Sequence, residues 1–307
     1  MRWLIISFVS ILFFQSCSDK TSSDPNVILI LIKKWPVEWT GNGVEDLQSH
    51  PSLKQLTENG VVFTKAFTTS PKIELAEQAL ESGMHTGHLL SDNFDKKNLT
   101  NFKNALLSKT FEIEEHSSVA TWSDTDKKNS NINIIKLTSN SLAEVNTQIA
   151  KLLDGISNNS LLVLTALSGS GKSFSESNLR VPLIFYTKDD KINKGVSNQA
   201  IYTADLFPTI ADFLGIPYPT KDLDGQSFYK NIKRPSTPSK DRILFWKSSD
   251  KEGPKILRYN QWKMVQKNLN TAWQLFDMIT DPEETDNVSA YHPGKFEKFK
   301  EWIRKNN

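Results

Sequence analysis

Residues 26–32 read NVILILI and residues 53–67 read LKQLTENGVVFTKAF, and these two stretches decide the fold. The first is a continuous apolar run rich in β-branched residues, the pattern of a strand buried on both faces of a sheet. The second starts inside a helix predicted over Pro51–Asn59, with Pro51 at its start, Leu53 and Leu56 on one face and Gly60 as its stop. It then passes into a strand over Val61–Phe67. Further along, a helix is predicted over Ile73–Glu81, followed by Gly83 and a His/Gly/Thr turn, and a strand over Ile132–Leu137. Ser141 to Glu144 has the spacing of a capping box. It opens a helix with Leu142, Val145, Ile149, Leu152, Leu153 and Ile156 on one stripe. Strands follow over Leu161–Thr165 and Val181–Tyr186, then a helix over Asp205–Leu214 with Pro208 tolerated in its first turn. Helices alternating with apolar strands imply an α/β fold with a mainly parallel central sheet flanked by helices.

The texture changes after about Pro235. Short strands are predicted over Arg242–Trp246, Ile256–Tyr259, Trp262–Gln266 and Trp273–Asp277, with Tyr259-Asn260-Gln261-Trp262 as a tight hairpin and a terminal helix over His292–Arg304. The expected division is an α/β domain over 25–235 and a small antiparallel sheet with a terminal helix over 236–307. Trp246, Trp262 and Trp273 read as core residues of that small sheet. Residues 91–131 are polar and carry one expected helix, around Phe102–Leu107.

Lys+Arg number 37 and Asp+Glu 35 in 307 residues, a formal charge of +2, so nothing in the bulk charge points to nucleic acid. The single cysteine, Cys17, excludes an internal disulfide or a cysteine-built metal site. Arg2 is followed by an uncharged run from Trp3 to Phe14 and then by Gln15-Ser16-Cys17, the layout of a signal peptide too short to span a bilayer. A small residue before a lone cysteine resembles the lipobox of bacterial lipoproteins. The expectation is a signal peptide over 1–16, lipid on Cys17, a polar tether over 17–24 and a place on the cell envelope.

Several stretches match one family in order. Pro25–Ile32 and Leu53–Phe67 resemble its strand, helix and "G-V-x-F-T-x-A". Leu161–Gly169 (LLVLTALSG) stands where the family has a strand ending in T-S-D-N-G, and Leu179–Ile184 (LRVPLI) matches "R-V-P-L-I". From Tyr202, YTADLFPTIADFLGIPYPT and then Leu223-Asp224-Gly225-Gln226-Ser227 resemble "D-L-x-P-T-x-x-D-x-x-G-I-P" and "L-D-G-x-S". Trp262–Val265, Gln274–Asp277 and Asp281–Thr285 resemble "W-K-L-V", "E-L-Y-D" and "D-P-x-E". The series resembles the sulfatases, within the alkaline phosphatase superfamily, and implies that superfamily's α/β sheet.

The resemblance also implies a site, and the residues here depart from it. Family sulfatases hold a divalent cation, usually calcium, with two Asp after the first strand and the Asp and Asn of T-S-D-N-G. Here those positions are Lys33, Lys34, Leu167 and Ser168. A charged lysine has no lone pair to offer, and replacing two carboxylates by two ammoniums takes the local charge from −2 to +2. Calcium wants ~6–8 oxygen ligands, so the cofactor expectation is none. The family attacks with a formylglycine made in C-x-P-S-R. Here Ile73 stands at the modified position and Glu77 at the arginine, in a segment that also gains Glu74. Isoleucine cannot become formylglycine, and Glu77 removes a cation that would steady a charged ester. His85, His88 and Lys172 are the residual polar groups; no family G-K-W-H-x-G is found in the short span over 91–137. Trp35 and Trp39 follow the lost metal position and are expected to fill its space. His50 and His116 read as surface residues, and His292 as the start of the last helix.

Two enzyme-like alternatives accompany the leading reading of a catalytically inactive sulfatase fold that binds a glycan or a protein partner. One is a hydrolase with a rebuilt site, using Ser70, Ser168 or Thr69 with His85 or His88. The other is a nucleotide loop, because Ala166–Ser173 (ALSGSGKS) fits a relaxed phosphate-binding pattern after a strand. Against it, only Phe174–Leu179 separates that loop from the next strand.

Overall fold

The computed structural model describes residues 26–39, 47–90, 112–122, 131–189, 191–218, 220 and 223–306. The expected signal segment, Cys17, the tether and the helix around Phe102–Leu107 lie outside the described residues.

The elements are β1 (Val27–Ile32), α1 (Pro51–Asn59), β2 (Val61–Phe67), α2 (Ile73–Ser82), α3 (Thr86–Leu89), β3 (Glu112–His116), β4 (Asn131–Leu137), α4 (Leu142–Gly155), β5 (Leu161–Ala166), α5 (Glu176–Leu179), β6 (Leu183–Thr187), β7 (Gly195–Tyr202), α6 (Leu206–Leu214), α7 (Tyr229–Lys233), β8 (Ile243–Lys247), β9 (Lys255–Tyr259), β10 (Trp262–Gln266), β11 (Gln274–Asp277) and α8 (Pro293–Asn306). β1 is buried at every residue because it lies between β4 and β5 with helices on both faces. The central sheet runs β3-β4-β1-β5-β6-β2-β7. All its neighbours are parallel except that β6 runs antiparallel to both β5 and β2. The expected mainly parallel sheet is therefore observed, with β6 as its exception. The link from β5 to β6 carries only the four-residue α5, so the chain turns back beside β5 instead of crossing over.

The N terminus of α1 is capped from outside. His50 makes no side-chain cap, and Oδ1 of Asn146 on α4 accepts from the Ser52 and Leu53 amides at 2.9 and 3.2 Å. The capping box at α4 is half formed. Ser141 accepts from the Glu144 amide, but Glu144 reaches Ser139 and the Asn140 amide rather than Ser141. Helix α6 begins at Leu206, because Asp205 belongs to a 3₁₀ turn. The predicted strand over Val181–Tyr186 is displaced to Leu183–Thr187, since Arg180 bridges to Phe67 and Pro182 has no amide to give the ladder.

The second sheet runs β11-β10-β9-β8, antiparallel throughout. The hairpin at Asn260 takes φ +52°, as a tight turn between β9 and β10 requires. One face packs under α8 through Leu257, Met264, Phe299 and Ile303. The other meets the central sheet through Trp246, which lies edge-on to Phe67 and Tyr202 and donates to the Thr68 carbonyl at 2.8 Å. Trp246 and Trp262 are buried, whereas Trp273 is half-buried. Among the described residues, no helix is long and apolar enough to cross a membrane.

Candidate functional site

In an open α/β sheet, ligands bind beyond the carboxyl ends of the strands. There the register sets Ile32 of β1 opposite Ala166 of β5, so Lys33 and Leu167 leave the sheet side by side. The Leu167 amide donates to the Ile32 carbonyl at 2.9 Å, the Lys33 amide to Leu137 at 2.9 Å and the Trp35 amide to Ser168 at 2.8 Å. Thr68 Oγ1 donates to the Leu167 carbonyl at 2.7 Å, which ties the segment leading to Ile73 to the same spot. The sheet thus brings Lys33, Lys34, Leu167 and Ser168 together beside the start of α2.

Their side chains offer little to a cation. Lys33 and Lys34 are exposed and Leu167 is buried. Ser168 Oγ donates to Asn178 Oδ1 at 2.7 Å. No group of three or more His, Cys, Asp or Glu able to hold a metal occurs among the described residues. Trp35 and Trp39 are both buried and pack edge to face, ring centres 5.8 Å apart, so the exposure that would defeat the space-filling expectation is not observed.

Glu77 pairs with Lys136 at 2.5 Å, and Lys136 also reaches Glu115 at 2.9 Å. Burial works to lower the Lys136 pKa, but the hydrogen bonds from Glu77 and Glu115 outweigh it and raise it above the ordinary range. At the position where the resemblance expects an arginine, this chain therefore carries a carboxylate engaged with a lysine of β4.

The loop from Leu167 to Leu179 is organised by Asn178, a residue sequence reading missed. Its carbonyl accepts from the Gly169 amide at 2.8 Å and its side chain donates to the Ser173 carbonyl at 2.6 Å. The Gly171 amide donates to Ser177, so the loop amides point into the loop and not toward a phosphate. A nucleotide cradle also needs a substantial helix behind it, and α5 spans four residues with Lys172 exposed ahead of it. The nucleotide reading fails on this geometry.

His85 and His88 converge on one carboxylate. His88 Nδ1 lies 3.2 Å from Asp224 Oδ2, and His85 Nε2 lies 3.6 Å from Asp224 Oδ1. His85 Nδ1 accepts from the His88 amide at 3.2 Å, so its Nε2 carries the proton facing Asp224. Burial lowers the His85 pKa, Asp224 opposing it. Of the hydroxyls considered as rebuilt nucleophiles, Ser70 accepts from the Lys72 amide at 3.1 Å, Ser168 is bound to Asn178, and Thr69 Oγ1 is buried without a hydrogen bond. Neither ring nitrogen of His85 is bonded to any of the three. His116 corrects its surface reading: its side chain is 13% exposed and its Nε2 lies 3.3 Å from Asn133 Oδ1. His292 stacks edge-on to Trp262 just ahead of α8.

Gly83 positions the histidine turn. It closes α2 at φ +69°, and its carbonyl accepts from Asp224 and Gly225 at 3.1 and 2.8 Å. A Cβ there would lie 2.8 Å from both Leu223 and Phe207. Gly83→Ala is expected to cost about 2 kcal/mol, since the left-handed backbone alone costs ~1–2 kcal/mol for a non-glycine residue. A urea midpoint equal to wild type would show that the turn is not held in this conformation.

No protein-family model matches the chain. It is 29% identical over 136 residues to arylsulfatase K of Canis lupus familiaris and 26% identical over 159 residues to a sulfatase of Formosa agariphila. These matches cover 39% and 44% of this chain. By shape it is similar to a 2-O GAG sulfatase, with TM-score 0.74, 14% identity and coverage of 92% of this chain and 91% of that one. The chain has the fold of the sulfatase/alkaline phosphatase superfamily and is similar in sequence to sulfatases over part of its length. The match spans about a quarter of the curated sulfatases' own length, 24% for the canine protein and 29% for the Formosa one. The same superfamily fold recurs in phosphonate monoester hydrolase of Agrobacterium radiobacter, with TM-score 0.70 and 13% identity over 92% of this chain and 95% of that one. The sulfatase fold and its C-terminal antiparallel sheet, as expected from the ordered motifs, are what the structure contains.

Proposed function

We propose that this chain is a sulfatase-fold lipoprotein of a bacterial envelope, anchored through lipid on Cys17, that has given up sulfate-ester hydrolysis and acts by binding a glycan or a protein. The observation that carries the reading is the chemistry gathered at the ends of β1 and β5. Two exposed ammoniums, a buried leucine and a serine spent on Asn178 stand where the resemblance expects four cation ligands. Ile73 stands where it expects the modified nucleophile. Calcium does not fit these residues, so no step of the family's chemistry is derived through it. A structural neighbour is described in complex with a neocarrahexaose, which favours a saccharide as ligand. Nucleic acid is not an expected partner, given the balanced charge.

Calorimetry with calcium, a thermal melt with and without it, and an aryl sulfate turnover assay test the reading. The expected results are no heat, an unchanged Tm and no turnover. A cation site filled at 100-fold over its Kd would add about 2.7 kcal/mol of stability, an easily seen shift. Stoichiometric calcium binding or metal-dependent release of sulfate would overturn the reading.

A further inference from the structure

A cleft of about 1190 Å³ lies between α3 and the second sheet with its terminal helix. Lys33, Lys34, Ile73, Glu77, Leu167 and Ser168 are not among its lining residues, whereas His85 and His88 are, so it adjoins the degenerate site at the sheet edge without containing it. Its far wall is built by β8, β9 and α8.

The register of β8 and β9 puts Lys247 directly opposite Lys255, and both line the cleft. Like charges facing each other across an antiparallel pair are destabilising. Among the described residues no hydrogen bond or ion pair offsets either ammonium. The Lys255 pKa is lowered, by burial first and by Lys247 second, as expected where two cations share a recess without a counterion. Lys298 adds positive charge to the same walls, whereas Arg242 is paired with Asp205. Ser248 and Ser249 also line the cleft, Ser248 accepting from the Asp250 amide at 3.1 Å and Ser249 from Lys72 at 2.6 Å. The cleft's carboxylates are already committed. Asp224 faces the two histidines, and Asp241 accepts from Tyr259 and Asn260 at 2.7 and 2.9 Å. Phe245 is two residues from Lys247 on β8 and so shares its face. Trp302 of α8 packs on Phe245 with ring centres 5.8 Å apart and also lines the cleft.

We infer that this cleft is a binding site for an acidic saccharide, its acid group held between Lys247 and Lys255 and its ring against Trp302. A paired cation with neighbouring hydroxyls suits an oxyanion, and the indole beside it suits the apolar face of a pyranose. The inference rests on the binding reading of the function and gives it a place and a ligand class. Removing either lysine relieves a like-charge contact, so the fold does not depend on the pair.

The test is calorimetry on the full chain with three hexasaccharides: one carrying sulfate groups, one carrying only uronate carboxylates, and neutral maltohexaose. At least one acidic hexasaccharide is expected to bind, and the stronger of the two identifies the acid group; maltohexaose is expected not to bind. Lys247→Gln/Lys255→Gln is expected to weaken binding by at least about tenfold while leaving the Tm equal to or above wild type. Lys298→Gln is expected to weaken it less. Binding of neither acidic hexasaccharide, equal binding of the neutral one, or binding untouched in the double variant would overturn the inference. Displacement of the saccharide by ADP at equal concentration would also overturn it, since it would assign the cleft to a nucleotide. Sulfate release from the sulfated hexasaccharide would instead defeat the non-catalytic reading while leaving the cleft intact.

Discussion

Lys263→Ala is expected to lower unfolding free energy by about 3 kcal/mol, the scale of removing one partner from a buried ion pair. The Lys263 side chain is 1% exposed. Its ammonium meets Glu284 at 2.5 Å, Glu176 at 3.9 Å and the Phe174 carbonyl at 3.2 Å. The contacts to Glu176 and Phe174 cross from β10 to the segment after β5, so one side chain ties the second sheet to the central domain. The contact to Glu284 also holds that residue at φ +60°, a conformation a glutamate does not favour unaided. Alanine would leave Glu284 without its cation and a void beneath it. Lys263→Met fills the void and is expected to cost less, which separates the charge effect from the packing effect. A urea midpoint for Lys263→Ala within error of wild type would show that the ion pair contributes nothing net.

The same cluster sets an acid limit. Burial works to raise the Glu176 pKa, but Arg258, Arg180 and Lys263 outweigh it and bring it down to about 2. A carboxylate whose folded pKa is depressed contributes stability above its unfolded pKa and loses it as pH falls toward the folded one. Its contribution is thus complete above the ordinary glutamate value near 4.5 and disappears between there and about 2. Lys263→Ala removes one of the three cations, so the variant is expected to show a weaker fall in stability over that window.

Much of this fold is legible in the sequence because its central strands are buried on both faces. Val27–Ile32 and Leu161–Ala166 are continuous apolar runs, and continuous runs have few other readings. The strands that escaped are the edges. β3 reads EIEEH, with Ile113 its one apolar residue, as the edge of a sheet allows. β7 turns Ser197 and Gln199 inward where an apolar residue would have marked it. Gln199 can be buried because its amide accepts from the Lys240 amide at 2.8 Å and donates to the Lys240 carbonyl at 3.2 Å, a partner 41 positions away that no local pattern discloses. The degenerate site was legible as a set of substitutions, and the register adds that they are neighbours in space. The lysine cleft was not legible, since Lys247 and Lys255 become a pair only through the pairing of β8 with β9.

Asp205 shows the same limit, since its partners lie outside its own motif, and it carries the largest expected loss, about 4 kcal/mol for Asp205→Ala. The residue is 0% exposed. Its Oδ2 accepts from the Tyr202 amide at 2.8 Å and from Arg242 at 2.5 Å, and its Oδ1 accepts from the Gln226 amide at 2.8 Å. One carboxylate therefore joins the end of β7, the loop carrying Asp224, and the entry to the second sheet. Burial works to lower the Arg242 pKa, and Asp205 more than reverses it, so the guanidinium is charged and needs this partner. Alanine would strand that charge together with the buried Tyr202 amide and leave the Gln226 amide without this acceptor. Arg242→Met alone leaves Asp205 with both amides and is expected to be milder. If the bond is what matters, the double variant should be less destabilised than the sum of the two by about 1–3 kcal/mol, the coupling a close charged pair gives. Strict additivity in a urea double-mutant cycle would mean that Asp205 acts through its backbone partners alone.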